Sequence, residues 1–290
     1  MKKLMILLVL AALVPAGCGA PAADVVPQQT LQPASPIQEA LTYQVETRLW
    51  EDAALAEDGT VLASYSFHLP EMTVLTAEGV RVEAARTAEE ETALAAAETF
   101  NQRFLDWLSD EELDSMAQEA AQELAWFRES GTEWFGGYRQ ELTVSTYQTE
   151  HLVSLEGTYY SYAGGAHPNT WHLGWNFDLD SGMFFGAESL AADSAEFQTA
   201  VLEELISQAD ARAAENGLEP QEFFWADYRD ILANWSSYAV CFDPDGMLIS
   251  FSPYELASYA AGTQSFRLSY EWLLPYLSQH GLAVLELTEE

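Results

Sequence analysis

The order of strand-like and helix-like segments most restricts the fold, because the two types come in runs and do not alternate one by one. Three segments are rich in β-branched and aromatic residues and contain turn signals, as strands joined by hairpins do: 41–76, 139–185 and 238–251. Helical spacing and start or stop signals predict helices over 88–108, 110–129, 193–216 and 221–235. We therefore predict a mixed α+β fold of mostly antiparallel sheets with packed helices, in two related or closely packed subdomains.

Two short motifs near residue 250 make local predictions. Asp243-Pro244-Asp245-Gly246 lies between two strand-like segments and is typical of a turn that closes a hairpin. Ser252-Pro253-Tyr254-Glu255 has a capping serine, a proline at the first helical position and a glutamate that closes a capping box. It predicts the start of a helix.

The first 40 residues are typical of an export signal followed by a tether. Lys2 and Lys3 precede an apolar stretch over 4–14, which is too short to span a bilayer and is typical of an export signal. Ala16-Gly17-Cys18 resembles the lipobox of bacterial lipoproteins, although Pro15 stands where leucine is usual. We expect an export signal over 1–18, with the lipid attached to Cys18, and a Pro-rich tether over 19–40. The protein would then be a membrane-anchored lipoprotein that faces the outside. The alternative is cleavage after Ala20, which would release a secreted protein.

Beyond the tether, Gly136-Gly137 marks a candidate boundary between an N-terminal α+β domain, 41–135, and a C-terminal α+β domain, 136–290. If Cys18 carries lipid, Cys241 has no cysteine left to pair with. We predict that Cys241 is a small buried hydrophobic residue and not a nucleophile.

The charge of the chain restricts its partners. The formal net charge is −35, and because both lysines lie in the signal, the remainder carries nine arginines against 46 acidic residues, or −37 (9 − 46). Such a surface repels phosphate backbones and anionic headgroups, which argues against nucleic acid and against membrane contact other than through the lipid. Cations and basic proteins are favoured, while charge that serves only solubility is the alternative.

One segment carries a family resemblance. The Tyr-x-Gly-Gly-Ala-His corner within 159–170, the strand and turn over 176–182, and the distal motifs at 244–246, 252–255 and 259–262 resemble the extracellular domain of unknown function of RsiV-type anti-sigma factors. The same domain lies beside the catalytic domain of PdaC-type peptidoglycan deacetylases. Residues 41–135 resemble its companion domain more weakly. The sigma-binding segment, transmembrane helix and deacetylase domain of those proteins have no counterpart here.

The resemblance implies a binding module, since the RsiV-type domain senses lysozyme by binding it. We therefore expect an extracellular module for a basic protein such as lysozyme or for peptidoglycan fragments, with no cofactor. Its candidate binding residues are Tyr160, Tyr162, Gly164, Gly165, His167, Asn169, Pro253, Tyr254 and Tyr259.

An enzyme or a metal site is less well supported by the residues. In one strand over 171–180, His172 and Asp178 are about 20 Å apart, too far for a single ion, and the alternation predicts an apolar face on the core and a polar face outward. We recognise no catalytic motif. Two alternatives stay open: a cell-wall hydrolase, or a deacetylase-associated protein, with a site near His167 beside an acid, Ser or Tyr, and a structural lipoprotein with a broad apolar patch.

Overall fold

The computed structural model describes residues 41–134 and 136–288, which belong to one compact unit. The signal, the lipid site at Cys18 and the tether lie outside the described residues. No helix within the described ranges is long and apolar enough to cross a bilayer.

A six-stranded sheet organises the first half of the fold, with strands in sequence order across the sheet. Strands β2 and β3 pair in parallel, and every other neighbouring pair is antiparallel. The strands are β1 (Thr42–Leu55), β2 (Val61–Leu75), β3 (Tyr138–Gln148), β4 (Leu152–Tyr162), β5 (Asn169–Asp178) and β6 (Met183–Phe185).

Two helices make the crossover from β2 to β3, as a parallel pair requires. Helix α1 (Ala88–Leu105) begins at a capping box, in which Thr87 and Glu90 satisfy each other's backbone N–H groups. Helix α2 (Asp110–Ser130) is capped by Ser109 and ends at Gly131, whose φ of 69° is left-handed. Both predicted helices are confirmed, and α1 ends three residues before the predicted Leu108.

The second half of the fold is built around a three-stranded antiparallel sheet. Its strands are β7 (Ala239–Asp243), β8 (Gly246–Phe251) and β9 (Gln264–Ser269). The long helix α3 (Ser194–Glu215) is capped by Asp193, close to the predicted bounds. Four short helices complete this half: α4 (Pro220–Phe223), α5 (Tyr228–Leu232), α6 (Tyr270–Leu273) and α7 (Gln279–Val284). The predicted mixed α+β class is confirmed.

The core follows these two sheets. One face of the six-stranded sheet packs against α1 and α2, through Phe67, Phe100, Phe104 and Phe177 among others. A separate cluster joins α3 to the three-stranded sheet through residues such as Val201, Leu205 and Phe251. Cys241 is 6 % exposed in β7, and burial raises the pKa of its thiol to about 12, which confirms the prediction of a buried hydrophobic residue.

The polar face of β5 is covered, contrary to the prediction that it faces outward: Asn176 and Asp178 are buried, and His172 and Gly174 are half-buried. Strand β7 lies against β4 and β5 on this side, and Gly174 leaves room for the backbone of Val240. Asn176 is 4 % exposed and donates from Nδ2 to the Val240 carbonyl oxygen (3.1 Å), while the Ser154 hydroxyl donates to Asn176 Oδ1 (2.8 Å). These polar residues thus lie in the interface between the two sheets.

Two helix predictions are wrong. The segment predicted as one helix over 221–235 is two short helices, α4 and α5, with Phe224 extended between them, where Phe224 bridges to Ala257. Residues 252–255 form a turn, because Tyr254 has a left-handed φ of 73°, which no helix accommodates. The hairpin closed by Asp243–Gly246 is confirmed.

The domain boundary predicted at 135/136 stays a prediction. Strands β2 and β3, on either side of it, pair from Ala63 with Tyr138 to Phe67 with Leu142. The six-stranded sheet is therefore continuous across this position.

The last described segment docks on the β3–β4 turn through Glu286. The Thr149 side chain and the Glu150 N–H (2.7 Å) bond its carboxylate, and the Thr149 bond is the main cause that lowers the pKa of Glu286 from 4.5. A lowered folded-state pKa stabilises the fold above pH 4.5, and this contribution is lost as the pH falls through the folded-state pKa. We expect Glu286→Gln to lower Tm at neutral pH, with the deficit shrinking below pH 4.5.

Thermal melting across this pH range measures the effect, and Glu129→Gln, which replaces an exposed acid of α2, is the control. A deficit that is unchanged down to pH 3, well below the ordinary pKa of 4.5, would show that the charge of Glu286 does not contribute.

Candidate functional site

The corner between β4 and β5 is built on two consecutive glycines. Gly164 and Gly165 have φ values of 80° and 87°, which side chains rarely adopt, so the sequence needs glycine at both positions. The Tyr162 hydroxyl donates to the Gly165 carbonyl oxygen (3.0 Å) and ties the corner to the end of β4. The loop then presents His167 and Pro168 before β5 begins at Asn169.

Three exposed rings meet beside this corner, and we name His167, Tyr254 and Tyr259 the Tyr–His–Tyr cluster. The His167 and Tyr259 rings stack with centroids 4.4 Å apart and planes 17° apart. The Tyr254 ring centroid lies 5.9 Å from that of His167 and 5.3 Å from that of Tyr259. Tyr254 is 48 % and Tyr259 38 % exposed, so the cluster is a surface feature.

Hydrogen bonds fix the histidine ring. Its Nδ1 lies 2.9 Å from the Pro168 carbonyl oxygen and its Nε2 lies 3.1 Å from the Tyr254 hydroxyl. Because a carbonyl oxygen only accepts, Nδ1 carries the hydrogen, and the neutral ring accepts the Tyr254 hydroxyl at Nε2. The imidazole is exposed. The hydrolase alternative requires an acid, Ser or Tyr beside His167, and Tyr254 meets this requirement. That the residues lie in a cleft stays a prediction.

Tyr254 is held in a costly backbone conformation. A left-handed φ costs a non-glycine residue on the order of 1 kcal/mol, and such strain persists only where neighbours impose it. Here the Trp225 indole N–H donates to the Tyr254 carbonyl oxygen (2.9 Å) and the Glu255 N–H donates to the Ser252 carbonyl oxygen (3.0 Å). The ring of Tyr254 is thus presented by a preorganised turn, next to Pro253.

The other predicted binding residues are more scattered. Tyr160 receives a hydrogen bond on its hydroxyl from Arg139 (2.9 Å), whose guanidinium lies 5.1 Å from its ring centroid. Asn169 is exposed at the start of β5, paired with Ser161. Tyr160, Tyr162 and Asn169 therefore flank the corner without entering the Tyr–His–Tyr cluster.

Separate partners hold the side chains of His172, Asp178 and Asp180, which lie in β5 and in the turn after it. His172 Nε2 lies 2.8 Å from the Thr263 hydroxyl, and Asp180 Oδ2 lies 2.9 Å from His151 Nδ1. Asp178, 3 % exposed, accepts the N–H groups of Asp180 and Ser181 within its own turn. Within 41–134 and 136–288, no group of three or more His, Cys, Asp or Glu side chains is placed to hold a metal ion.

Sequence reasoning missed two supports of this site. Trp225, 29 residues from Tyr254 in sequence, anchors its carbonyl, and the Glu123 carboxylate of α2 approaches Gly164 so closely that a Cβ there would lie 3.2 Å from Oε2. Neither residue belongs to a motif. Only tertiary structure brings them to the corner.

Part of the chain matches a protein-family model. Residues 188–271 match the family described as "Protein of unknown function (DUF3298)". The match includes α3, the three-stranded sheet, Tyr254 and Tyr259, but not the corner at 164–167. No curated protein matches the chain.

Solved structures extend the similarity of the fold. A DUF3298 family member from Bacteroides fragilis superposes with a TM-score of 0.51 and 12 % identity over 87 % of this chain and 99 % of that chain. A DUF3298 family protein from Pseudomonas aeruginosa has a TM-score of 0.48 and 15 % identity over 84 % and 97 % of the two chains. At its low identity, the Bacteroides structure shows a shared fold alone.

Proposed function

We propose that this protein is an extracellular binding module for a basic protein of the lysozyme type, with the Tyr–His–Tyr cluster at the centre of the interface. The observation that carries the proposal is the preorganised, exposed Tyr254, which lies beside the stacked rings of His167 and Tyr259. Aromatic anchors of this kind dominate the binding energy of protein interfaces, and rigid presentation lowers the entropy lost on binding.

Charge supports a basic partner. The net charge of −37 beyond the signal gives the protein a field that attracts cationic proteins. The resemblance to the RsiV-type domain adds lysozyme as the first partner to test. Export and attachment through Cys18 belong to the same proposal and rest on residues 1–18 alone.

The test measures binding of the full-length protein and its variants to lysozyme. Tyr254→Gly removes the ring while glycine keeps the left-handed backbone without strain, so the turn survives the change. We expect affinity to fall about 30-fold, which corresponds to about 2 kcal/mol for an interface anchor. His167→Ala is expected to weaken binding in the same direction, because it removes the stacking partner of Tyr259.

Trp126→Ala is the control, since Trp126 is 60 % exposed on α2 and contributes nothing to the cluster. We expect it to bind lysozyme like the unchanged protein. Absence of binding at both low and moderate salt would remove lysozyme as the partner, and equal binding by Tyr254→Gly would remove the cluster as the interface.

A further inference from the structure

A concave site lies on the face of the six-stranded sheet that packs against α1 and α2. It is a cavity of about 370 Å³ between the sheet and the α1–α2 turn, a volume within the range of small-molecule sites. Its lining includes Trp107 from the turn, Tyr159 from β4 and Trp175 from β5. Successive residues of a strand point to opposite faces, so Tyr159 faces the helices while Tyr160 faces away from them.

The aromatic walls form a continuous series of rings. The Trp107 ring centroid lies 5.2 Å from that of Tyr159, which in turn stacks on Trp171 at 5.5 Å with the planes 28° apart. Trp107 also packs edge-on against Trp175 at 6.5 Å. Because Trp171 is 38 % exposed, the series continues from the cavity to the open surface. A ligand in this site can therefore be longer than the cavity itself.

The polar groups of the cavity include both donors and acceptors. Gln140, 9 % exposed, donates from Nε2 to Glu112 Oε1 (2.8 Å), which holds these two side chains together at the cavity. Arg103 and Asp106 also line it. Burial, and then the charge of Glu112, raises the pKa of Tyr159 to about 12, so its hydroxyl remains a donor at neutral pH.

Arg103 is one of two arginines whose guanidinium bonds no other residue within the described ranges, the other being Arg86, which does not line this cavity. Seven of the nine bond a carboxylate, an amide oxygen or a backbone oxygen with their guanidinium groups. Within the described ranges the Arg103 guanidinium has neither an ion pair nor a hydrogen bond to another residue. In so acidic a protein, an uncommitted guanidinium at a cavity is available to a ligand.

We propose that this cavity binds an uncharged oligosaccharide. Ring faces suit the apolar C–H faces of sugars, and hydroxyl groups, which both donate and accept, need the mixture of donors and acceptors found here. The carboxylates of Asp106 and Glu112 disfavour an anionic glycan, and Arg103 disfavours an organic cation. The exposed Trp171 favours a chain of sugars over a single one.

The test is titration calorimetry of the full-length protein with four trisaccharides. Triacetylchitotriose and cellotriose are uncharged, trigalacturonate is anionic and the glucosamine trimer is cationic. We expect heat of binding with at least one uncharged trimer and weaker binding of both charged ones. If neither uncharged trimer gives heat of binding at millimolar concentration, the proposal is overturned. It is also overturned if a charged trimer binds as tightly as the uncharged trimers or more tightly.

Variants locate the site. Trp107→Ala is expected to weaken binding of the uncharged trimer at least tenfold, because it removes a stacking wall. Arg103→Gln keeps an exposed side chain without the charge and is expected to weaken it about threefold or more, so it decides the question if Trp107→Ala does not fold. Unchanged affinity of Arg103→Gln, or of a folded Trp107→Ala, would remove the cavity as the site.

Trp126→Ala is the control, since Trp126 does not line the cavity, and it should bind the trimer normally. Tyr254→Gly separates this inference from the proposed protein interface, because it is expected to weaken binding of lysozyme about 30-fold and to leave binding of the oligosaccharide unchanged. Loss of the oligosaccharide in Tyr254→Gly or in Trp126→Ala would overturn the assignment to this cavity.

Discussion

Replacing Gly174 with alanine is expected to lower the free energy of unfolding by about 3 kcal/mol or more, the upper end of what an overpacked core costs. The added Cβ would lie 2.2 Å from the Val240 carbonyl oxygen and 2.6 Å from the Val240 carbonyl carbon and nitrogen. These are backbone atoms of β7, so no side-chain rotation relieves the contact. The two sheets have to move apart, and the hydrogen bond from Asn176 to Val240 stretches with them.

Gly157→Ala is the matched control for this substitution. Gly157 lies in the neighbouring strand β4, and its added Cβ would meet the Trp175 ring, 2.6 Å from Cζ3. A ring can shift where a backbone cannot, so we expect Gly157→Ala to cost less than Gly174→Ala. Urea unfolding of both variants gives the two free energies of unfolding. If Gly157→Ala lowers this free energy as much as Gly174→Ala or more, Gly174 is not the position where the two sheets approach most closely.

The second large effect concerns the rate of association with lysozyme. Raising the salt from about 10 to about 150 mM shortens the Debye length from about 30 to about 8 Å. If the charge of −37 steers the basic partner, the association rate constant falls tenfold or more over this range, while the dissociation rate constant changes little. Stopped-flow or surface-based kinetics at several salt concentrations separates the two constants.

Lysine-acetylated lysozyme is the control, because acetylation removes positive charge while the fold remains. It should associate slowly at every salt concentration and show a weaker dependence on salt. An association rate that is independent of salt for the unmodified partner would mean that the acidic surface serves solubility and not recognition.

Local signals predicted the local structure well. The helix starts at Thr87 and Asp193 and the hairpin turn at 243–246 form because the residues involved are two or three positions apart. The prediction of a helix that starts at Ser252 is wrong because a contact distant in sequence determines the backbone there. Trp225 bonds the Tyr254 carbonyl from 29 residues away, and this tertiary contact supports a backbone conformation that a helix excludes.

The two candidate sites differ in how far the sequence could predict them. The family resemblance singled out His167, Tyr254 and Tyr259, and the structure brings these three together. The aromatic cavity draws Trp107, Tyr159 and Trp175 from three separate segments, and no sequence signal connects these three residues. The polar face of β5 could not be assigned correctly either, because only the position of the second sheet shows that it is covered.

The parallel pairing of β2 with β3 affects how the chain folds. Ala63 pairs with Tyr138 although both helices of the crossover, α1 and α2, lie between them in the sequence. Pairings between residues so distant in sequence are slow to form, because loop closure costs entropy before the contact repays it. Until then one edge of the β1–β2 ribbon is open to other chains, so early protection by a chaperone would benefit the nascent protein.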